Sequence, residues 1–121
     1  MAKIAIIEDD KAIAQMYKIK FEAEGFEVEI AENGKLGLAL AEEMKPDIIL
    51  LDLMMPEMNG DEMLAKMRKT DWGKDIKVVI LTNMGEAEIA ESVLQLRVQG
   101  FIVKAQYTPA QVVDYVKQRL L

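Results

Sequence analysis

Two residue types that dominate enzyme active sites are missing from this chain. It has no cysteine, which excludes disulfides and thiolate metal sites. It has no histidine, which excludes imidazole catalysis and every Ser-His or Cys-His mechanism. Any chemistry must therefore come from carboxylates, hydroxyls, lysines or a metal ion. Positive charge is also in short supply. Fifteen Lys and Arg face 21 Asp and Glu, for a net charge of −6. The basic residues are scattered, so direct contact with a nucleic-acid backbone, which rewards clustered cations, is not expected. No apolar stretch approaches the roughly 20 residues of a membrane span. The first strand-like run follows directly on Met1-Ala2-Lys3 and leaves no room for a signal peptide, so the expected location is cytoplasmic.

What is present reads as one domain, residues 1–121, long enough for a real core and too short for two. Short apolar runs alternate with helix-like segments. The strand candidates are about Lys3–Ile7, Phe26–Ile30, Asp47–Leu51, Lys77–Leu81 and Gly100–Val103. Four of them are continuously apolar, as buried parallel strands are; Phe26–Ile30 alternates with glutamate, which marks a strand with one wet face at a sheet edge. The helix candidates are about Lys11–Glu24, Lys35–Met44, Asp61–Lys69, Glu86–Leu96, and a last one starting at Thr108-Pro109 with Val112, Val113, Val116 and Leu120 on its buried face. Helix one carries Ile13, Tyr17 and Phe21 at a spacing of four. Asp10 is placed to cap its start, Gly25 to end it, and Asn59 to cap helix three. Such βα alternation predicts an α/β fold: a five-stranded parallel sheet with five helices on its two faces.

In an open parallel sheet, ligands bind outside the carboxyl ends of the strands. Those ends carry Glu8-Asp9, Asp52, Thr82 and Lys104. Adjacent strands lie about 4.8 Å apart. Two bare carboxylates about 5 Å apart repel by about 3 kcal/mol at an effective dielectric near 20. A hard divalent cation is the economical reason to gather three. Mg²⁺ takes oxygen ligands, tolerates one or two carboxylates, and keeps waters that a phosphate can replace. A carboxylate beside Mg²⁺ is a competent nucleophile toward a phosphoryl group, and that role falls to Asp52. Thr82 can donate to a phosphoryl oxygen. Lys104 can pair with Asp52 or with such an oxygen. Three carboxylates against one lysine leave the metal-free site over-negative, so metal should bind before the phosphoryl donor.

Four motifs in order resemble the receiver domain of bacterial two-component response regulators, particularly the single-domain chemotaxis-type ones. They are Ile6-Ile7-Glu8-Asp9-Asp10, Leu51-Asp52-Leu53-Met54-Met55-Pro56-Glu57-Met58-Asn59-Gly60, Ile80-Leu81-Thr82, and Phe101-Ile102-Val103-Lys104. The resemblance covers essentially the whole chain. It implies a flavodoxin-like three-layer sandwich with strand order 2-1-3-4-5, which an edge position for strand two also favours. It implies that Asp52 takes a phosphoryl group from a histidine kinase or phosphotransfer protein, with Mg²⁺ required. Asp9, Asp52 and the backbone carbonyl of Met54 would be the metal ligands, and Glu8 would act through water. Thr82 and Lys104 would contact the phosphoryl oxygens. Phe101 would rotate as Thr82 moves inward, changing the face formed by helix four, strand five and helix five, where an unidentified downstream protein binds.

The chain departs from the family at four places. Ala105 stands where the family usually has proline, so a trans Lys104–Ala105 bond and a reshaped 105–107 loop are expected. Asn83 replaces a small residue and would narrow access to Asp52. Met54 and Met84 flank the site where polar groups often influence attacking water, which implies a long-lived phosphoryl aspartate. Arg97-Val98 replaces the common Gly-Ala after helix four, so that helix would end in another way, at Gly100. Other classes fit less well. A haloacid-dehalogenase-like phosphatase needs an acid two residues after its nucleophile, where Met54 stands. A flavodoxin-like carrier would have its flavin phosphate repelled by Glu8-Asp9-Asp10. A degenerate receiver acting as a phosphate-independent interaction module is the alternative that Asn83 and Ala105 keep open.

Overall fold

The computed structural model describes residues 2–55, 57–83, 93 and 95–121. Five parallel strands form one sheet in the order β2-β1-β3-β4-β5. They are β1 (Lys3–Ile7), β2 (Glu27–Ala31), β3 (Ile48–Leu51), β4 (Lys77–Thr82) and β5 (Gly100–Val103). Four α-helices are seen among the described residues: α1 (Lys11–Ala23), α2 (Gly34–Met44), α3 (Gly60–Arg68) and a C-terminal helix (Pro109–Leu120). The expected helix over about Glu86–Leu96 lies almost wholly outside the described residues, as do Met84 and Pro56.

The continuous apolar runs are explained by the strand period of two. Successive side chains point to opposite faces, and here both faces are covered. On one face Ile4, Ile6, Ile48, Leu50, Val79, Leu81 and Ile102 pack against Ala14, Tyr17 and Phe21 of α1 and Val112, Val113 and Val116 of the C-terminal helix. On the other, Ala5, Ile7, Ile49, Leu51, Val78 and Ile80 pack against Ala41 of α2 and Met63, Leu64 and Met67 of α3. Burying each of the larger side chains contributes about 1.5–3 kcal/mol. β2 is the edge strand, with Glu27 and Glu29 exposed and Val28 buried.

The helix starts follow from their caps. Asp10 accepts from Ile13 N–H at 3.1 Å, Asn33 from Leu36 N–H at 2.8 Å, and Asn59 from Glu62 N–H at 3.3 Å. Thr108 and Gln111 form a reciprocal capping box. Gly25 follows α1 with a φ of 91°, a conformation open to glycine at no steric cost. Ile13, expected on the buried face of α1, is half-buried and packs against the core, to which Ala14 also belongs.

One expectation is corrected. Gly100 does not end a helix; it opens β5. The preceding turn instead carries Arg97 in the left-handed region, with a φ of 62°. Arg97 is held there by its neighbours. Its guanidinium donates to the Lys74 carbonyl at 2.8 Å and lies 3.8 Å from Asp75. Its carbonyl accepts from Arg68 at 3.2 Å. Arg68 also donates to the carbonyls of Leu96 at 2.8 Å, Gly73 at 2.9 Å and Ile76 at 2.7 Å. One guanidinium thus joins the end of α3, the connection to β4 and the turn before β5. No cis peptide bond occurs among the described residues, so Lys104–Ala105 is trans as expected, and Lys104–Gln106 forms a 3₁₀ turn.

Replacing Arg68 strands several half-buried carbonyls at once. Arg68→Met should lower stability by about 2 kcal/mol or more, read as an earlier urea midpoint with an unchanged slope. A loss within about 0.5 kcal/mol, the range of an ordinary surface substitution, would contradict this account.

Candidate functional site

The sheet register assembles the site. Ile7 pairs with Leu51, so the residues that follow them, Glu8 and Asp52, are neighbours at the carboxyl edge. The Asp52 N–H donates to the Ile7 carbonyl at 3.0 Å and the Glu8 N–H to the Ala31 carbonyl at 2.9 Å, which fixes both backbones. Leu51 pairs with Ile80, and Thr82 pairs with Val103, so Thr82 and Lys104 reach the same edge. Glu8, Asp9, Asp10, Ile13, Asp52, Met54, Thr82, Asn83 and Lys104 line one cavity of about 390 Å³. A larger groove of about 650 Å³ runs along β2 between α1 and α2; it shares only Glu8 with the acid cavity.

Glu8, Asp9, Asp52, Met54, Thr82 and Lys104, expected at the site from the sequence, thus line one cavity, while Met84 lies outside the described residues. Glu8, Asp52 and Thr82 are buried, whereas Asp9 is exposed. Carboxylate oxygens of Glu8, Asp9 and Asp52 lie within 4.8 Å of one another. Lys104 Nζ donates to Asp52 Oδ2 at 3.3 Å and makes a second ion pair with Glu8 Oε1. The other oxygens are also engaged: Asp52 Oδ1 accepts from Met54 N–H at 3.2 Å, and Glu8 Oε2 from Asp10 N–H at 3.3 Å. The Met54 side chain is exposed and stands at the cavity mouth beside Asn83. Two features escaped the sequence reading. Lys104 grips Glu8 as well as Asp52, which only the sheet register reveals. Ile13 packs against the core with Tyr17 and Phe21, as its spacing implies, and in addition forms a wall of the site because it lies in the first turn of α1.

The donor set fits a hard cation. It offers oxygen ligands alone, more negative charge than Lys104 balances, and three carboxylate oxygens within 4.8 Å of one another. The strain of the arrangement shows in its protonation. Burial, aided by the hydrogen bond to Asp52 and by its charge, pushes the Glu8 carboxyl up to about 7, with Lys104 opposing. Burial works against the Lys104 charge too, but its hydrogen bond to Glu8 and the charges of Asp52 and Glu8 outweigh this and raise its pKa.

A carboxyl raised from 4.5 to about 7 on folding holds a proton that the unfolded chain has already lost. Its stabilising contribution is present below the lower value and disappears as pH rises through the upper one. The Lys104 shift leaves this window untouched, since that amine stays charged throughout. The Tm of the metal-free protein should thus fall between about pH 5 and about pH 8. Mg²⁺ favours the ionised carboxylates, so the Tm increment it gives should grow over the same range. Thermal melts in chelator and in excess Mg²⁺ at both pH values check this; a metal-free Tm that climbs with pH would refute it.

Comparison with known proteins agrees with this geometry. Residues 4–117 match the family model of the response regulator receiver domain. The DNA-binding dual master transcriptional regulator RpaA of Synechocystis sp. is 38% identical over 101 residues, covering 84% of this chain and 39% of that protein. The chain spans 22% to 51% of the length of the curated relatives it matches. Among solved structures, Vibrio cholerae chemotaxis protein CheY4 superposes with a TM-score of 0.90 at 30% identity, covering 100% of this chain and 99% of that one. A CheY-like receiver domain protein from Methanospirillum hungatei gives 0.89 at 31% identity, over 99% and 94% of the two chains. No helix among the described residues is long and apolar enough to cross a membrane. In sequence, in strand order and in the acid cavity at its sheet edge, this chain belongs to the response regulator receiver domains of two-component signal transduction.

Proposed function

We propose that Asp52 is the phosphoacceptor of this receiver and that residues 1–121 act as one phosphorylation-controlled switch. The supporting observation is the placement of Asp52. It is buried at a parallel-sheet edge, 3.3 Å from Lys104 Nζ, in a cavity shared with the carboxylates of Glu8, Asp9 and Asp10 and with Thr82. In the reaction an Asp52 carboxylate oxygen attacks phosphorus. The bond from phosphorus to the donor breaks, an acyl phosphate forms, and the donor leaves with the electron pair. A phosphohistidine of a histidine kinase or phosphotransfer protein is the proposed donor. Asp9, Asp52 and the Met54 carbonyl would hold Mg²⁺, with Glu8 acting through water. When bound, Mg²⁺ would offset the charge of the entering phosphoryl group.

The chain's own groups do the rest. Lys104 is already charged and aimed at Asp52, so it meets the new phosphoryl oxygens without reorganisation. Thr82 lies on the same wall. The acyl phosphate carries about −2 where the carboxylate carried −1 and presents three further oxygens, which favours the state with both donors engaged. Phe101 on β5 is half-buried and packs against the core layer of α2 and α3, next to the strand that carries Thr82. Its rearrangement would carry the change to the face built from the segment after β4, β5 and the C-terminal helix, and so to a downstream protein. The acidic net charge supports a partner other than nucleic acid for this domain itself. The chain would speed only its own phosphorylation and dephosphorylation and turn over no separate substrate.

Incubation with acetyl phosphate and Mg²⁺ should add one phosphoryl group to the intact mass, with no adduct on Asp52→Asn or in chelator. No adduct on the wild-type protein, even from a phosphorylated kinase, would sink the reading. Asn83 narrows the cavity mouth, so Asn83→Ala should react with acetyl phosphate several-fold faster; an equal rate would remove that role.

A further inference from the structure

We infer that Gly34, at the start of α2, is a positioning residue for the acid site, acting through the loop that follows Asp52; this rests on reading that site as a Mg²⁺-dependent phosphoacceptor. The loop leaves β3 at Asp52 and returns at Gly60. At its base the Gly60 N–H donates to the Leu53 carbonyl at 3.1 Å, and the Met54 N–H donates to Asp52 Oδ1 at 3.2 Å. Its returning limb is tied to a different element. The Gly34 N–H donates to the Met58 carbonyl at 2.7 Å.

That bond uses a donor that α2 would otherwise leave without a partner, because the first N–H groups of a helix have no intrahelical acceptor. The closeness requires glycine. A Cβ on Gly34 would lie 2.2 Å from the Met58 oxygen, 2.9 Å from its carbonyl carbon and 3.0 Å from the Asn59 oxygen. All three are backbone atoms, which cannot swing aside. Gly34 is not among the residues with positive φ, so its backbone does not require glycine. Glycine is also the weakest helix former after proline. What the residue provides is contact distance between α2 and the loop. Asn33 holds the helix start in place, buried and accepting from Leu36 N–H at 2.8 Å. Within the loop, Glu57 sits in the left-handed region with a φ of 64°, next to the pinned Met58. The pin therefore holds the loop from outside in a conformation that its own residues do not favour. Met54, whose carbonyl is the proposed ligand, lies in the segment between the base and the pin. Displacing Met58 would move that carbonyl away from Asp9 and Asp52, as loss of an orienting outer partner does in other metal sites.

The test compares Gly34→Ala with Gly73→Ala. In the latter a Cβ meets Met67 and Thr70 in the connection after α3, remote from the cavity. Mg²⁺ affinity is measured by calorimetry at a temperature where each variant is folded, and amide exchange at Met54 and Gly60 by NMR in chelator. Gly34→Ala should bind Mg²⁺ about tenfold more weakly and exchange those amides faster, whereas Gly73→Ala should lose only thermal stability. Equal Mg²⁺ affinity in Gly34→Ala and wild type overturns the inference and leaves the phosphoacceptor reading standing. Wild-type protein that binds no Mg²⁺ and takes no phosphoryl group overturns both. Should Gly34→Ala not fold, Asn33→Ala, which frees the helix start, should weaken Mg²⁺ in the same way, and Asn33→Asp, which keeps the cap, should restore it; a wild-type affinity in Asn33→Ala again overturns the inference.

Discussion

The site depends on one amine. Lys104 is the one cation among the described residues lining the acid cavity, and it pairs with both buried carboxylates, Glu8 and Asp52. Removing one partner from such a buried group typically costs 3–5 kcal/mol, because the remaining charges are then uncompensated. Yet a single lysine cannot satisfy three acids. Burial first, and then the hydrogen bond and charge of Asp52, raise the Glu8 carboxyl despite the opposing lysine. The fold thus keeps the site in a state that a cation improves. A cavity that is electrostatically complete without metal would bind metal weakly; this one is incomplete by design of its donor set.

The acids are reachable only because of the parallel sheet. Every strand runs the same way, so every carboxyl end opens on one edge, and the register decides which residues meet there. A slip of one residue in β3 would turn Asp52 toward the other face and exchange Ile49 and Leu51 with Ile48 and Leu50 between two differently packed core layers. The cost of disturbing two packed layers therefore protects the geometry of the acids. Core and site are one constraint: the hydrophobic alternation that covers both faces also fixes the height at which Glu8, Asp52, Thr82 and Lys104 stand.

Most of this was legible in the residues themselves. The alternation of apolar runs and helical segments gave the parallel sheet, and the glutamates of β2 gave its edge. Polar residues after apolar runs gave the site, since strand ends in such a sheet converge whatever the loops do. The capping residues Asp10, Asn59 and Thr108 announced their helices because their chemistry is local. What was not legible is non-local. Arg68 looks like any charged residue near a helix end, and its role depends on carbonyls from two separate connections meeting around it. The turn at Arg97 was misplaced to Gly100, because glycine is the usual left-handed residue and only the surrounding donors make arginine acceptable there. Gly34 stands just before the expected start of helix two, and nothing in its neighbourhood in sequence points to Met58.

These non-local contacts differ in kind from the core. Apolar packing is proportional to area and forgiving in detail, whereas the contacts at Gly34, Gly60 and Arg68 are set to within a few tenths of an ångström by backbone atoms. A Cβ at Gly60 would stand 2.1 Å from the Asp52 carbonyl oxygen, and one at Gly34 would stand 2.2 Å from that of Met58. Both glycines press a helix start against the chain segment that begins at Asp52. Each contact ties a helix N-terminus, the end that carries partial positive charge, to that segment: the Gly34 N–H donates to the Met58 carbonyl and the Gly60 N–H to the Leu53 carbonyl. The same approach that fixes the loop also supplies fixed dipoles of the sign the acids need. Unlike the Lys104 side chain, those dipoles are set by the backbone and keep their direction whatever the charge of the site.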